Sequence, residues 1–423
     1  MLSRTRLITA ASFAGSLGWG TILPFQYAYV VGARHWGVTT GVLTGTAFCV
    51  GAVVSAPLAG RLSDRYPAGR LAMLFTLAAG ASCLGLALAS GPGLFLGAIA
   101  MFGAAVTAVG PATQVLVLEC IEAQDRRAAF AYQFTALALG MAAGAFVAGR
   151  MIDLTSPRGM WPAFLTATLG FVLSAGLLRL ASRSTHTSAG VTEDLWTEPG
   201  TGRSGGIATY RQLAGNRQIR LLAFVSMALA AGFYAQFETG LPAFALQALS
   251  VDPSTVGTAA AANCLVIVAL QWLVTKLTGQ RQAAALLIVV AGIWVMSWLL
   301  LEVALVAGSS YGGLLFVVAF MTFAVGETMY APILSPLAAA VAPPGLVGTT
   351  LGALSALRTA VSAAGPLLAG GFLALDVPHV FVLVHVAINT LGGVFAWQLL
   401  RAQLRSDAEV DNGSIDPARS AHV

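Results

Sequence analysis

From Leu71 to Leu118 the chain carries no charged side chain, and residues 39 to 59 are equally free of charge. A lipid bilayer asks for about 20 apolar residues of helix to cross its hydrocarbon core, and both stretches supply them. A helix that is apolar all round has no face to offer water, so these segments belong inside a membrane. Between them lies Gly60-Arg61-Leu62-Ser63-Asp64-Arg65-Tyr66-Pro67-Ala68-Gly69-Arg70, a short turn holding three arginines and an aspartate. A basic turn with Gly and Pro between two bilayer-length segments reads as a loop on the cytoplasmic side.

The same reading extends along the chain. Apolar segments fall at 7–31, 39–60, 71–90, 93–119, 128–152 and 160–180, then at 219–247, 255–275, 283–306, 312–340, 347–373 and 378–400, and are numbered 1 to 12 in that order. Only 9% of residues are charged and 57% are hydrophobic, too little polarity to clothe a soluble chain of 423 residues. The runs are too long and too unbroken for a β-barrel. The expected fold is therefore an all-α polytopic membrane protein with twelve transmembrane helices in two six-helix bundles. Arg4 and Arg6 precede a run too long for a cleaved signal, so that run is read as segment 1 itself. Residues 1–180 make the first bundle, 181–217 a cytoplasmic linker, 218–402 the second bundle, and 403–423 a disordered cytoplasmic tail. Tyr210 to Leu213 at the end of the linker read as a short surface helix.

Of the 22 lysines and arginines, 18 fall in the tails and loops assigned to one side. That bias puts both termini in the cytoplasm of a cell whose inner (plasma) membrane the protein spans. The net charge of +5 is thus a topology signal and not a nucleic-acid footprint. Cys49, Cys83, Cys120 and Cys264 have no metal-ligand spacing, and neither metal nor cofactor is expected. The halves also echo one another. Adding 221 carries Pro111 to Pro332, Ala143-Gly144 to Ala364-Gly365, and Gly149 to Gly370. Internal repeats of this kind build a site between two halves of a transporter.

The loop resembles the signature between helices 2 and 3 of the major facilitator superfamily, Gly-x-Leu-x-Asp-Arg-x-Gly-Arg-Arg. Gly60, Leu62, Asp64 and Arg65 are in register, Ala68 stands where the family has an arginine, and Arg70 arrives late. Over residues 1–402 the chain is most similar to the twelve-helix drug:proton antiporters and related bacterial exporters. The resemblance implies that Asp64 faces the N-terminus of helix 11 and that the contact breaks on opening to the cytoplasm, with Arg65 or Arg70 bridging to Glu119. Segment 5 resembles the antiporter signature Gly-x-x-x-Gly-Pro-x-x-Gly-Gly through Gly140 and Gly144, which implies close packing at an external gate. The arginine that many such antiporters carry in helix 4 has no counterpart in residues 96–103.

A charge near the bilayer centre costs roughly 2.5–3.5 kcal/mol on insertion scales, so it is seldom placed there idly. Three such residues stand out: Glu327 in segment 10, Glu238 in segment 7 and Arg358 in segment 11. A buried carboxyl holds its proton tightly and a nearby arginine loosens it, so these three are the proton-coupling candidates. Gln26, Tyr27, Gln133, Tyr234, Gln236, Phe237, Asn263 and Tyr330 are the substrate-contact candidates. Amides among aromatics suit a bulky amphipathic ligand. Gly60, Asp64, Arg65, Arg70, Glu119, Gly140 and Gly144 are the gate candidates. His379 and His385 read as lipid-interface or packing residues.

The sequence has no phosphate-binding loop, no nucleophile elbow and no metal cluster, which argues against an ATP-driven pump or an enzyme. The expectation is a monomeric secondary exporter of a small-molecule substrate in exchange for protons, within the lipid bilayer. The competing reading is a symporter or facilitator that imports a metabolite.

Overall fold

The structure, a computed structural model, describes residues 2–183, 207–237, 240–308 and 311–414. All regular structure among them is helical, and 12 helices are long and apolar enough to cross a membrane. In the first half, α1 begins at Leu2–Ile22 and is followed by α2 (Val38–Ser63), α3 (Ala68–Leu88), α4 (Pro92–Cys120), α5 (Arg126–Met151) and α6 (Trp161–Arg183). In the second, α7 begins at Arg217–Leu229 and is followed by α8 (Pro253–Thr278), α9 (Ala283–Ala307), α10 (Gly312–Val341), α11 (Val347–Ala374) and α12 (Pro378–Ser414). Proline opens α4, α8 and α12, where its missing N–H would have had no helical partner anyway. Asn216 caps α7, its side-chain oxygen accepting from the N–H groups of Gln218 and Ile219.

Two helices are interrupted, and they are the first of each half. After Ile22, α1 passes through a turn at Leu23-Pro24-Phe25, resumes at Gln26–Ala28 and closes in a π-helical turn, Tyr29–Ala33. Proline brings no N–H to the helical ladder, which accounts for the turn. In α7 a π-helical turn occupies Ala230–Tyr234, followed by Ala235–Phe237 and then Gly240–Gln247. The expected single spans 7–31 and 219–247 are thus each divided. The last helix differs too: it runs on to Ser414, well into the stretch expected to be disordered from 403. Residues 403–412 contain no proline or glycine to stop it. A separate helix, Ile207–Gly215, lies in the linker.

Helix packing repeats between the halves. In the first, α1 packs on α5 and α6, α2 on α4, and α3 on α4 and α6; in the second, α7 packs on α11 and α12, α8 on α10, and α9 on α10 and α12. The offset of 221 marks the same joint twice. A Cβ on Gly144 would strike the backbone of Leu17 in α1, and one on Gly365 would strike the backbone of Ala235 in α7. Without a hydrophobic drive inside a membrane, such close backbone approach is how helices adhere. Gly140 and Gly144, expected at an external gate, face α1 within their own half, Gly140 against Phe13 and Ser16.

The halves meet through α2 on α11, α5 on α8, α5 on α10 and α4 on α11. The α2–α11 contact concentrates at the end carrying the 60–70 loop, called the basic end below. There Gly60 lies against Gly348 and Gly352, with no room for a Cβ on any of them. Toward the opposite end a Cβ on Gly45 of α2, or on Gly370 or Gly371 of α11, would meet nothing within 4 Å. The molecule is shut at the basic end. At the other end Arg34 ties the loops of the first half together, donating to the carbonyls of Ala89 (2.8 Å) and Pro157 (3.4 Å) and lying over the Trp36 ring.

Overpacking a tight joint costs about 1–3 kcal/mol. Gly144→Val is therefore expected to lower the thermal midpoint of the purified protein by several degrees, while Gly97→Ala, in open space on α4, leaves it unchanged or slightly raised. Differential scanning fluorimetry of the two variants checks both.

Candidate functional site: a sealed end and a buried polar cluster

A helix leaves its first N–H groups and its last carbonyls without helical partners, with partial positive and negative charge respectively. The basic end uses both. Asp64, the residue that ends α2, accepts from Gly348 N at 2.5 Å and from Thr349 N at 2.7 Å and Thr349 Oγ1 at 2.5 Å, all at the start of α11. Burial pushes its carboxyl above the ordinary carboxylate range, and the Thr349 and Gly348 donors work against that shift. At the start of α5, Arg127 Nη1 donates to the carbonyls of Thr278 (3.0 Å), Gly279 (3.0 Å) and Arg281 (2.7 Å), where α8 ends.

These two latches are equivalent positions with inverted charge. Asp64 ends α2 and Gly279 ends α8; Arg127 opens α5 and, 221 residues on, Gly348 opens α11. Each latch sets one charged side chain against the backbone of a glycine in the other half. Sequence reasoning took Arg127 for one more topology arginine. The signal that could have found it is the offset itself, which sets it in register with Gly348, the residue that Asp64 holds. A third contact comes from the linker helix: the Tyr210 hydroxyl donates to Pro57 O at 3.4 Å, and the Arg61 guanidinium lies 4.6 Å from the Tyr210 ring centre.

Beside the Asp64 latch is a cavity of about 100 Å³ between the halves, lined by Asp64, Glu119, Arg126, Pro336 and Ala339 among others. The expected bridge from Arg65 or Arg70 to Glu119 is not formed among the described residues. Both arginines are exposed, and no ion pair joins them to Glu119. Arg126 occupies that neighbourhood, with its own donors spent on Leu118 O and Ile121 O.

Midway along α10, Glu327 is buried, 6% exposed. Asn263 Nδ2 of α8 donates to its Oε2 at 3.3 Å, and the Tyr234 hydroxyl of α7 lies against it. One helical turn on, Tyr330 packs its ring 5.7 Å from Tyr234 and 5.5 Å from Trp294, centre to centre. The Tyr330 hydroxyl faces Arg358 of α11 and Ser226 of α7. Glu327 and Arg358 do not form an ion pair, though both are near Tyr234.

Several substrate-contact candidates make packing contacts between helices. Gln236 is fully buried and donates from Nε2 to Gly365 O, filling the small joint between α7 and α11. Asn263 is buried and also donates to Phe320 O. Phe237 packs between Phe233 and Phe320. Tyr27 is exposed, and Gln26 and Gln133 are half-buried. Glu238 lies outside the described residues. His385, read as an interface or packing residue, is wholly buried and stacks 4.3 Å from the Trp298 ring, whereas His379 pairs with Glu302 at 2.6 Å. Gln271, which sequence reasoning passed over, donates to Thr328 O, the carbonyl that Pro332 leaves without a helical donor.

Comparison with known proteins agrees with this architecture. No curated protein matches the chain in sequence at a significant level. Among solved structures, a bacterial homologue of the iron transporter ferroportin in its outward-facing state is similar over 94% of this chain and 99% of its own, at 15% identity and a TM-score of 0.68. The transporter FucP in its outward conformation matches over 93% and 98%, at 13% identity and 0.67. The human organic anion transporter MFSD10 (TETRAN) matches over 93% and 99%, at 16% identity and 0.65. At such identities the likeness shows the fold. The Major Facilitator Superfamily profile, however, matches residues 8–366, and with twelve apolar helices in two equivalent halves the chain belongs to the major facilitator superfamily of membrane transporters.

Proposed function

We propose that this chain is a proton-coupled secondary transporter of small amphipathic molecules, working by alternating access in the inner (plasma) membrane with its basic end in the cytoplasm. The observation that carries the reading is Glu327. It is a carboxyl at mid-membrane, almost without solvent contact, whose neighbours are neutral donors and no cation. A carboxyl in such a place is costly as an anion, so its proton affinity depends on whether the surrounding helices admit water. Movement of one half against the other then loads and releases a proton.

In this reading the shut basic end makes the conformation outward-facing. Gly60, Asp64, Arg65, Arg70 and Glu119 are its gate residues together with Arg127, and Tyr27, Gln26 and Gln133 are its accessible polar contacts. Efflux by proton antiport is the direction that the resemblance of the loop and segment 5 supports. A second reading, proton symport into the cell, is favoured by one observation: Arg358 is not paired with Glu327.

The first test is extrusion of a fluorescent dye panel from cells stripped of their own pumps, with and without a protonophore. Extrusion is expected to stop with the protonophore and in Glu327→Gln, while that variant still elutes as a single peak on size exclusion. Protonophore-sensitive extrusion at the wild-type rate by Glu327→Gln would remove Glu327 from the mechanism.

The latches make a separate prediction. A hydrogen bond to a charged group contributes about 1.5–3 kcal/mol, so losing one should raise the open fraction of the basic end on the order of tenfold. With the four cysteines replaced by serine and Val115→Cys placed on the buried wall of the cavity, Asp64→Asn and Arg127→Gln are each expected to speed labelling by a membrane-impermeant maleimide applied from the basic end. Unchanged labelling rates would show that the seal rests on glycine packing alone.

A further inference from the structure

Ser226, Tyr330 and Arg358 converge from three helices, and neither buried hydroxyl is satisfied. Ser226 is wholly buried and Tyr330 is 2% exposed, yet Ser226 Oγ and Tyr330 Oη lack hydrogen-bond partners. The two hydroxyls and the guanidinium face one another without reaching the distance and angle of a formed bond. Leaving a buried hydroxyl unpaired costs about 1–3 kcal/mol. A guanidinium cannot escape its charge by losing a proton, and Arg358 stands near the middle of Val347–Ala374, deep in the apolar layer. No carboxylate among the described residues lies within ion-pair distance of it. Glu327, the acid of the same cluster, is engaged by Asn263 and Tyr234 instead.

A guanidinium with two idle hydroxyls is an arrangement of donors waiting for an acceptor. We infer that Arg358, Tyr330 and Ser226 form an anion-binding subsite, and that the transported molecule carries a carboxylate or like oxyanion beside an aromatic or aliphatic body. The planar fork of arginine matches such a group with two parallel N–H bonds. The rings of Tyr234 and Trp294, 5.8 Å apart centre to centre and both beside Tyr330, offer the apolar part a wall. The inference rests on the reading of the central cluster as the transport site. It also bears on direction. An anion on Arg358 and a bare carboxylate at Glu327 repel, whereas an anion and a proton accommodate one another, which is the logic of cotransport.

The test is isothermal titration calorimetry on the purified full-length protein with three probes of one shape: naphthalene-1-acetate, its neutral amide, and naphthalen-1-ylmethylammonium. The wild type is expected to bind the carboxylate at least about tenfold more tightly than the amide or the ammonium. Arg358→Gln should abolish that preference, Arg358→Lys should keep part of it, and Tyr330→Phe should reduce carboxylate binding while sparing the amide. Should Arg358→Gln fail to fold, Arg358→Lys and Tyr330→Phe carry the comparison. Equal binding of the three probes, binding of none, or a carboxylate preference that survives Arg358→Gln overturns the subsite. A protein that binds the carboxylate but moves nothing across a vesicle membrane would instead overturn the transport reading and leave the subsite standing.

Discussion

Helix ends govern this molecule. Inside a membrane every backbone group must find a partner, and helices solve the problem everywhere except at their termini. The chain turns that deficit into its seal. Asp64 takes the free N–H groups where α11 begins, and Arg127 takes the free carbonyls where α8 ends. Both contacts join one half of the protein to the other, so the two bundles are bolted at one end by groups that would otherwise seek water. Bare glycine surfaces let α2 and α11 come close enough for this to happen.

The second half is where the polar groups concentrate. Its aromatic core of Phe233, Trp294, Trp298, Phe320 and Phe323 surrounds the very helix turns that carry Glu327 and Tyr330. Indole N–H groups of Trp294 and Trp298 bond to the carbonyls of Phe323 and Gly232, which fixes α9 against α10 and α7. The π-helical turn in α7 ends at Tyr234, which lies near both Glu327 and Arg358. A π turn closes its backbone hydrogen bond over one residue more than an α turn, and such turns often mark functional sites.

Much of this was legible from residue types. Charge-free runs of bilayer length set the helices, and the offset of 221 placed Gly144 and Gly365 at equivalent joints. Asp64 could be recognised because an acid there serves no topological purpose. Arg127 could not, since an arginine at a helix start on the basic side needs no further explanation. Gly140 and Gly144 announced close approach but not to which neighbour, and the neighbour proved to be α1. Gln236 and Asn263 show the same limit. An amide in an apolar helix must bond to something, and only the fold decides whether that is a ligand or the next helix. The π turns left no trace in composition, whereas the break at Pro24 did.

The inverted polarity of the two latches has a genealogical side. Imagine two copies of residues 1–180 related by the axis that relates the halves here. Asp64 of one would then meet Arg127 of the other, and the same ion pair would form a second time across the axis. In the single chain the first half carries both members of that pair, and the second half has glycine, Gly279 and Gly348, at both equivalent positions. A symmetric dimer must unlock two identical bolts together, but a fused chain with one acidic and one basic bolt has two that can be tuned, and altered by selection, one at a time.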